Sequence, residues 1–242
     1  MAFFQEFRPA REPMLRVPGS VLGLIAALVA AHLLRVLAPP SFAAQMFDSL
    51  ALDPVIYSAQ AMRAIDLHRP DLLWLALPLL GHIFLHADFA HLTVNCLWLL
   101  AFGPVVARRF GGPAFLLFFA LCGLAGAAAF VGLEWGQNVG AIGASGAISG
   151  LMGAAIRMMR IREPWLNDAT LPLAPLLSQQ ILMFSAVWLV VNAITGLVGM
   201  GPSGSVHAIA WQVHLGGYIA GLALAGPFDA VVGLKARQRR AP

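Results

Sequence analysis

Three polar side chains in apolar surroundings can do chemistry together: the alcohol of Ser145, the imidazole of His214 and the amide of Asn95. A serine alcohol becomes a useful nucleophile only when a base takes its proton, and histidine is the usual base near neutral pH. The oxyanion that follows needs fixed donors. Asn95 is expected to supply one, and His91, one turn earlier on the same helical face, another. Asp and Glu are absent from the apolar runs that carry these residues. The spacing therefore predicts a serine–histidine dyad, without a carboxylate third member.

The elements that must position this pair are set by solvent. Of the 242 residues, 60% are hydrophobic and 11% charged, and mean hydropathy is +0.80. Soluble domains carry about a quarter charged residues, so the bilayer is the expected environment. Six spans are predicted: Val21–Leu37, Phe89–Val106, Pro113–Leu133, Ser145–Ile156, Ile181–Met200 and Ile209–Gly226. The first reads as a retained helix, because a short apolar core with a small-residue cleavage site is missing from its flank. Residues 72–85, LLWLALPLLGHIFL, are apolar but short and broken by Pro78, as an interfacial or re-entrant piece of a long first loop would be. The expected organisation is one domain over 1–242: an N-terminal segment 1–17, a six-helix core 18–226 and a basic tail 227–242.

The net charge of +4 and pI of 9.8 do not point to nucleic acid, because the basic residues punctuate apolar runs instead of forming a patch. Arg8, Arg11, Arg16, Arg108, Arg109, Arg157, Arg160, Arg162, Lys235, Arg237, Arg239 and Arg240 fall on one side of a six-span chain. Arg35, Arg63 and Arg69 fall on the other. The positive-inside rule then puts both termini in the cytoplasm. Cys96 and Cys122 lie in apolar runs without paired spacing, which argues against a disulfide framework or a zinc site.

The fourth span is too short to cross. Ser145 to Arg157 rises about 18 Å against a hydrocarbon core of about 30 Å. A helix entering at Arg157 thus begins inside the membrane, preceded by the uncharged, glycine-rich QNVGAIGASGA. Irregular backbone at that depth is tolerated only where protein or water covers it. Counted from Arg108 and from Gly226–Pro227, Asn95 and His214 reach the same level as Ser145. Gly146 with Gly150, and Gly217 with Gly221, form GxxxG pairs that would let the two helices touch.

At these residues the sequence resembles the rhomboid family of intramembrane serine proteases. The pieces are Gly143-Ala144-Ser145-Gly146 for GxSG, His91-xxx-Asn95 for HxxxN, and His214-xx-Gly217-xxx-Gly221 for the final helix. LGHIFLHADFAHLTVN and IAWQVHLGGYIAG are also rhomboid-like, and the resemblance covers roughly 72–226. It implies an all-α polytopic fold of six helices, cleavage of single-pass membrane proteins within or beside their transmembrane helix, an outward-opening aqueous cavity, and a fifth helix, with Phe184 and Trp188, that gates lateral entry. Two features depart from the family pattern. Ser149 stands where many members place an aromatic residue that supports the histidine, and the long first loop lacks a clear Trp-Arg pair.

Blander roles stand beside these. Ser145 alone would read as a small contact residue, Asn95 as an interhelical hydrogen bond, and His91 as a loop tether. His82 and His86, four apart, have metal-ligand spacing if helical, but lack a carboxylate or cysteine partner, so hydrogen bonding is favoured. His32 and His207 are expected near the outer interface, and Trp74, Trp98, Trp135, Trp165, Trp188 and Trp211 as packing or interfacial anchors. No cofactor or metal is called for. The expected partners are single-pass membrane substrates and lipid, with no nucleic acid and no reading of oligomeric state. The expected location is a bacterial inner membrane. The competing functions are a non-catalytic rhomboid-like binder of membrane segments, and a transporter or haem protein using the membrane histidines.

Overall fold

Apolar runs become helices here because the backbone has no other way to satisfy its polar groups in lipid. The computed structural model describes residues 17–59, 69–159, 172–198 and 210–233. Among them are eight α-helices: α1 Gly19–Leu37, α2 Pro40–Leu50, α3 Arg69–Gly81, α4 Phe89–Phe110, α5 Gly112–Leu133, α6 Ser145–Met158, α7 Gln179–Val198 and α8 Trp211–Phe228. Helices α1, α4, α5, α7 and α8 are long and apolar enough to cross a membrane. Helix α6, predicted as the fourth span, has 14 residues and rises only about 21 Å. The chain is a polytopic all-α membrane protein.

Element boundaries follow local chemistry. Pro39 and Pro40 end α1 and open α2, with Pro40 at the first helical position where its missing N–H costs nothing. Asp88 caps α4 by accepting from the His91 N–H at 2.8 Å. Gly111, at φ +82°, turns the chain directly into α5. The last carbonyls of α6 are closed from another helix: Gln180 Nε2 donates to Ile156 O at 2.7 Å and Met159 O at 2.8 Å. At the same end Arg109, 5% exposed, holds Asp229 through Nε and Nη2 at 2.7 and 2.8 Å. A residue expected only to set topology therefore also ties α4 to the turn after α8.

The predicted spans agree with these helices to within a few residues. The predicted edges at Met200 and Ile209 lie outside the described residues. So do Arg8, Arg11, Arg16, Arg63, Arg160, Arg162, Lys235, Arg237, Arg239, Arg240, His207 and Trp165, as does the side chain of Arg69. Amphipathic α2, which leaves Phe42 and Phe47 exposed, was not anticipated within the first loop. Over residues 72–85, α3 runs into a 3-10 turn, His82–Phe84, whose His82 and Ile83 are buried. The Pro78 carbonyl lies in the last turn of α3, and the His82 Nδ1–H donates to it at 2.8 Å. The Tyr57 hydroxyl pins the loop to α3 by donating to Leu75 O at 2.8 Å. Burial pushes that phenol up to about 12.

Helix α6 is the hub. Every residue from Gly146 to Ile156 is buried, against α4, α5 and α8. Its neighbours turn lipid-facing side chains outward, including Leu97, Trp98, Leu117 and Val187.

Candidate active site

The loop before α6 is held on both sides. Ala141 exchanges backbone hydrogen bonds with Leu52 of the first loop at 2.9 and 3.0 Å. The Gly143 N–H donates to His82 O at 2.8 Å. Gly143 adopts φ +115°, a conformation that disfavours any side chain, and a β-carbon there would lie 2.8 Å from His91 Nε2. Glycine at this position thus admits both the turn and the imidazole. No side chain caps the end that follows, which leaves the first N–H groups of α6 available to an anion.

Ser145 opens α6, and its Oγ lies 2.7 Å from His214 Nε2 on α8. The GxxxG pairs make this approach possible. A β-carbon on Gly217 would run into the carbonyl of Gly146, and one on Gly221 into the carbonyl of Gly150. A β-carbon on Gly216 would lie 2.7 Å from Ala125 O, so α8 packs closely on α5 as well as on α6. Helix α8 begins where Gln212 Nε2 donates to the Glu134 carboxylate at the end of α5.

The other expected site residues surround the pair in different ways. His91 borders the serine: the point 2.8 Å from its Nε2 that a Gly143 β-carbon would occupy is 3.8 Å from Ser145 Oγ. Its Nδ1 faces the Ala87 N–H across a long 3.5 Å contact. That tautomer leaves the proton on Nε2, the nitrogen on the serine side. Asn95 is buried, and its Nδ2 donates to His91 O at 2.9 Å, so one amide hydrogen is committed to its own helix. The second hydrogen remains for other use. Ser149 is buried within α6.

His32 and His86 extend the polar region away from Ser145. His32, expected near the outer interface, is fully buried against Phe89 and His86, and the His86 ring meets that of His91 at 5.2 Å. Arg35 covers this cluster by donating to His86 O at 2.8 Å and Ala87 O at 3.1 Å. Among the described residues no group of three or more His, Cys, Asp or Glu side chains is placed to hold a metal.

One contact was missed. His214 Nδ1 lies 2.8 Å from Asn192 Oδ1 on α7. Asn192 is buried, and its Nδ2 donates to Trp211 O at 3.3 Å. A signal existed, since a side-chain amide in the middle of a membrane helix is a candidate for function by default. Sequence does not say which neighbour the amide will face.

Fold and site together define a polytopic membrane protein with a serine–histidine pair at the buried start of a short helix. Residues 73–228 match the family model for the Rhomboid domain, and the chain belongs to the rhomboid family. It is similar to a Bacillus subtilis (strain 168) protein named "Putative rhomboid protease YdcA", with 38% identity over 85 residues. That match covers 35% of this chain and 42% of the relative's length.

Proposed function

We propose that this protein is an intramembrane serine endopeptidase that cleaves single-pass membrane proteins within or beside their transmembrane helix. The carrying observation is the 2.7 Å contact between Ser145 Oγ and His214 Nε2, made at the start of a helix too short to reach the far membrane surface. Family membership and the similarity to a protein named as a protease support the same reading.

In this mechanism His214 Nε2 takes the proton as Ser145 Oγ attacks the scissile carbonyl. Negative charge moves onto the carbonyl oxygen, which is met by the open N–H groups of α6, by His91 Nε2–H and by the uncommitted Asn95 N–H. As the intermediate collapses, the C–N bond breaks and His214 returns the proton to the leaving amine. Water, activated by the same imidazole, then hydrolyses the ester and regenerates the serine. The resemblance implies that α7 gates the lateral entry of a substrate helix. The charge distribution supports cytoplasmic termini, and the Ala-, Gly- and Arg-rich composition a bacterial inner membrane.

The test is cleavage of a transmembrane model substrate by purified protein in bilayers. Ser145→Ala and His214→Ala should each lower the rate by about 1,000-fold or more, with the thermal transition unchanged. A serine-directed fluorophosphonate should label Ser145 in the wild-type protein. A chain that is never labelled and never cleaves would instead be a binder of membrane segments.

A further inference from the structure

The α7 residues that meet α8 recur at helical spacing: Ser185, Trp188, Asn192 and Gly196. They face Tyr218, His214 and Trp211 in descending order, so the two helices run antiparallel. Ser185 Oγ and Tyr218 Oη are 2.7 Å apart. The Trp188 and Tyr218 rings stack at 4.2 Å and 17°. Asn192 reaches His214 at 2.8 Å, and Gly196 gives room to the Trp211 ring. Within this stripe only Asn192 touches the proposed base.

The amide orientation is decided by its second contact. Trp211 offers a carbonyl, which can only accept, so the Asn192 atom facing it must be Nδ2. The atom facing His214 is then Oδ1, also an acceptor. His214 Nδ1 must carry the hydrogen, and Nε2 must present its lone pair to Ser145 Oγ. The other tautomer would set two acceptors against each other at Nδ1, and Ser145 Oγ would then accept from Nε2–H and have no base for its proton. From this geometry we infer that Asn192 is the positioning residue of the site: its amide fixes His214 in the tautomer that can take the Ser145 proton, and because Asn192 belongs to α7, the readiness of the base depends on where α7 lies. The inference rests on the protease reading of Ser145 and His214.

The attachment is weak enough to matter. Only 11% of the α7 span is buried, against 50% for α5. Hydrogen bonds between membrane helices are individually weak, so a few such rungs can open and reclose. When α7 moves aside, His214 loses the partner of its Nδ1–H; when it returns, the base is set again. Titratable neighbours of His214 are few: His91 from α4 bears on it electrostatically, Ser145 meets it from α6, and α7 presents the neutral Asn192 and Ser185.

Fluorophosphonate labelling of Ser145 as a function of pH tests this on the full chain in bilayers, alongside single-turnover cleavage. Asn192→Leu should slow labelling and kcat on the order of 10- to 100-fold, with KM changed less than about threefold. Asn192→Asp keeps an acceptor but adds charge, which favours the imidazolium. The base works when neutral, so the acid limb of the profile should move to higher pH by about one unit or more, with labelling retained on the alkaline side. If Asn192→Leu labels at the wild-type rate, or if Asn192→Asp leaves the acid limb in place, the positioning role is overturned. Should Asn192→Leu fail to fold, the Asn192→Asp profile decides alone. Ser145→Ala separates the two readings. Cleavage that survives it removes the protease reading and this inference together. Loss of cleavage in Ser145→Ala with wild-type behaviour in both Asn192 variants removes only the inference.

Discussion

Helix α8 is held on two sides by opposite means. Toward α5 and α6 it presents Gly216, Gly217 and Gly221, and backbone meets backbone. Toward α7 it presents Trp211, His214 and Tyr218, joined to its neighbour by two side-chain hydrogen bonds, a bond to a backbone carbonyl and one ring stack. In lipid there is no hydrophobic force between helices, so close van der Waals packing is what makes a contact permanent. The glycine seam has it backbone to backbone, whereas the α7 contact has it only at the Trp188–Tyr218 stack and where Gly196 meets Trp211. The proposed nucleophile and its base therefore lie across the glycine seam, while the amide proposed to orient that base lies across the α7 contact.

The largest effect is expected where the seam is broken. In Gly217→Ala the new methyl group would run into the Gly146 carbonyl, a backbone atom that cannot rotate away. The helices must part, and Ser145 leaves hydrogen-bond reach of His214. Destabilisation of about 3 kcal/mol or more and near-complete loss of fluorophosphonate labelling are expected from a thermal-unfolding and labelling experiment. A variant that keeps wild-type stability would show that the seam tolerates separation, and the contrast with α7 would fail.

A smaller effect is expected two residues before Ser145. Gly143→Ala must place a methyl group beside His91 Nε2 at a backbone angle of φ +115°. Strain of that kind contributes about 1 to 3 kcal/mol. The fold should survive it, because the loop is anchored by Leu52 and His82. Displacement of the His91 imidazole should lower kcat more than it raises KM, and a structure of the variant would show the ring moved. Unchanged kcat would remove His91 from the oxyanion site.

The same contrast explains what was legible in the sequence. The spans, the short α6 and the GxxxG pairs could be read because each depends on local composition and on the fixed thickness of the bilayer. Ser145 and His214 followed from those counts together with the family motifs. Asn192, the Leu52–Ala141 bridge and the Gln212–Glu134 contact could not be read so directly. Each is a choice of partner between elements distant in the chain, and residue type alone does not name the partner. The burial of His32 could not be read for a related reason: residue type does not show that α1 packs against the loop before α4. Arg109 was read only as a topological charge, because its partner Asp229 is 120 residues away.

The mildest perturbation isolates the loose contact itself. Tyr218→Phe keeps the ring that stacks on Trp188 and deletes only the hydroxyl that meets Ser185. About 0.6 kcal/mol is expected to be lost, too little to shift global unfolding by more than a few degrees. Amide hydrogen exchange reports local opening, so its signature should be regional. Exchange should quicken across residues 181–196 of α7 and stay at the wild-type rate across 146–156 of α6. Equal acceleration in both would mean that α7 moves only when the whole bundle does. In that case the orienting amide would be as permanent as the glycine seam. Acceleration confined to α7 would instead mark the contact that carries Asn192 as the part of the site free to open.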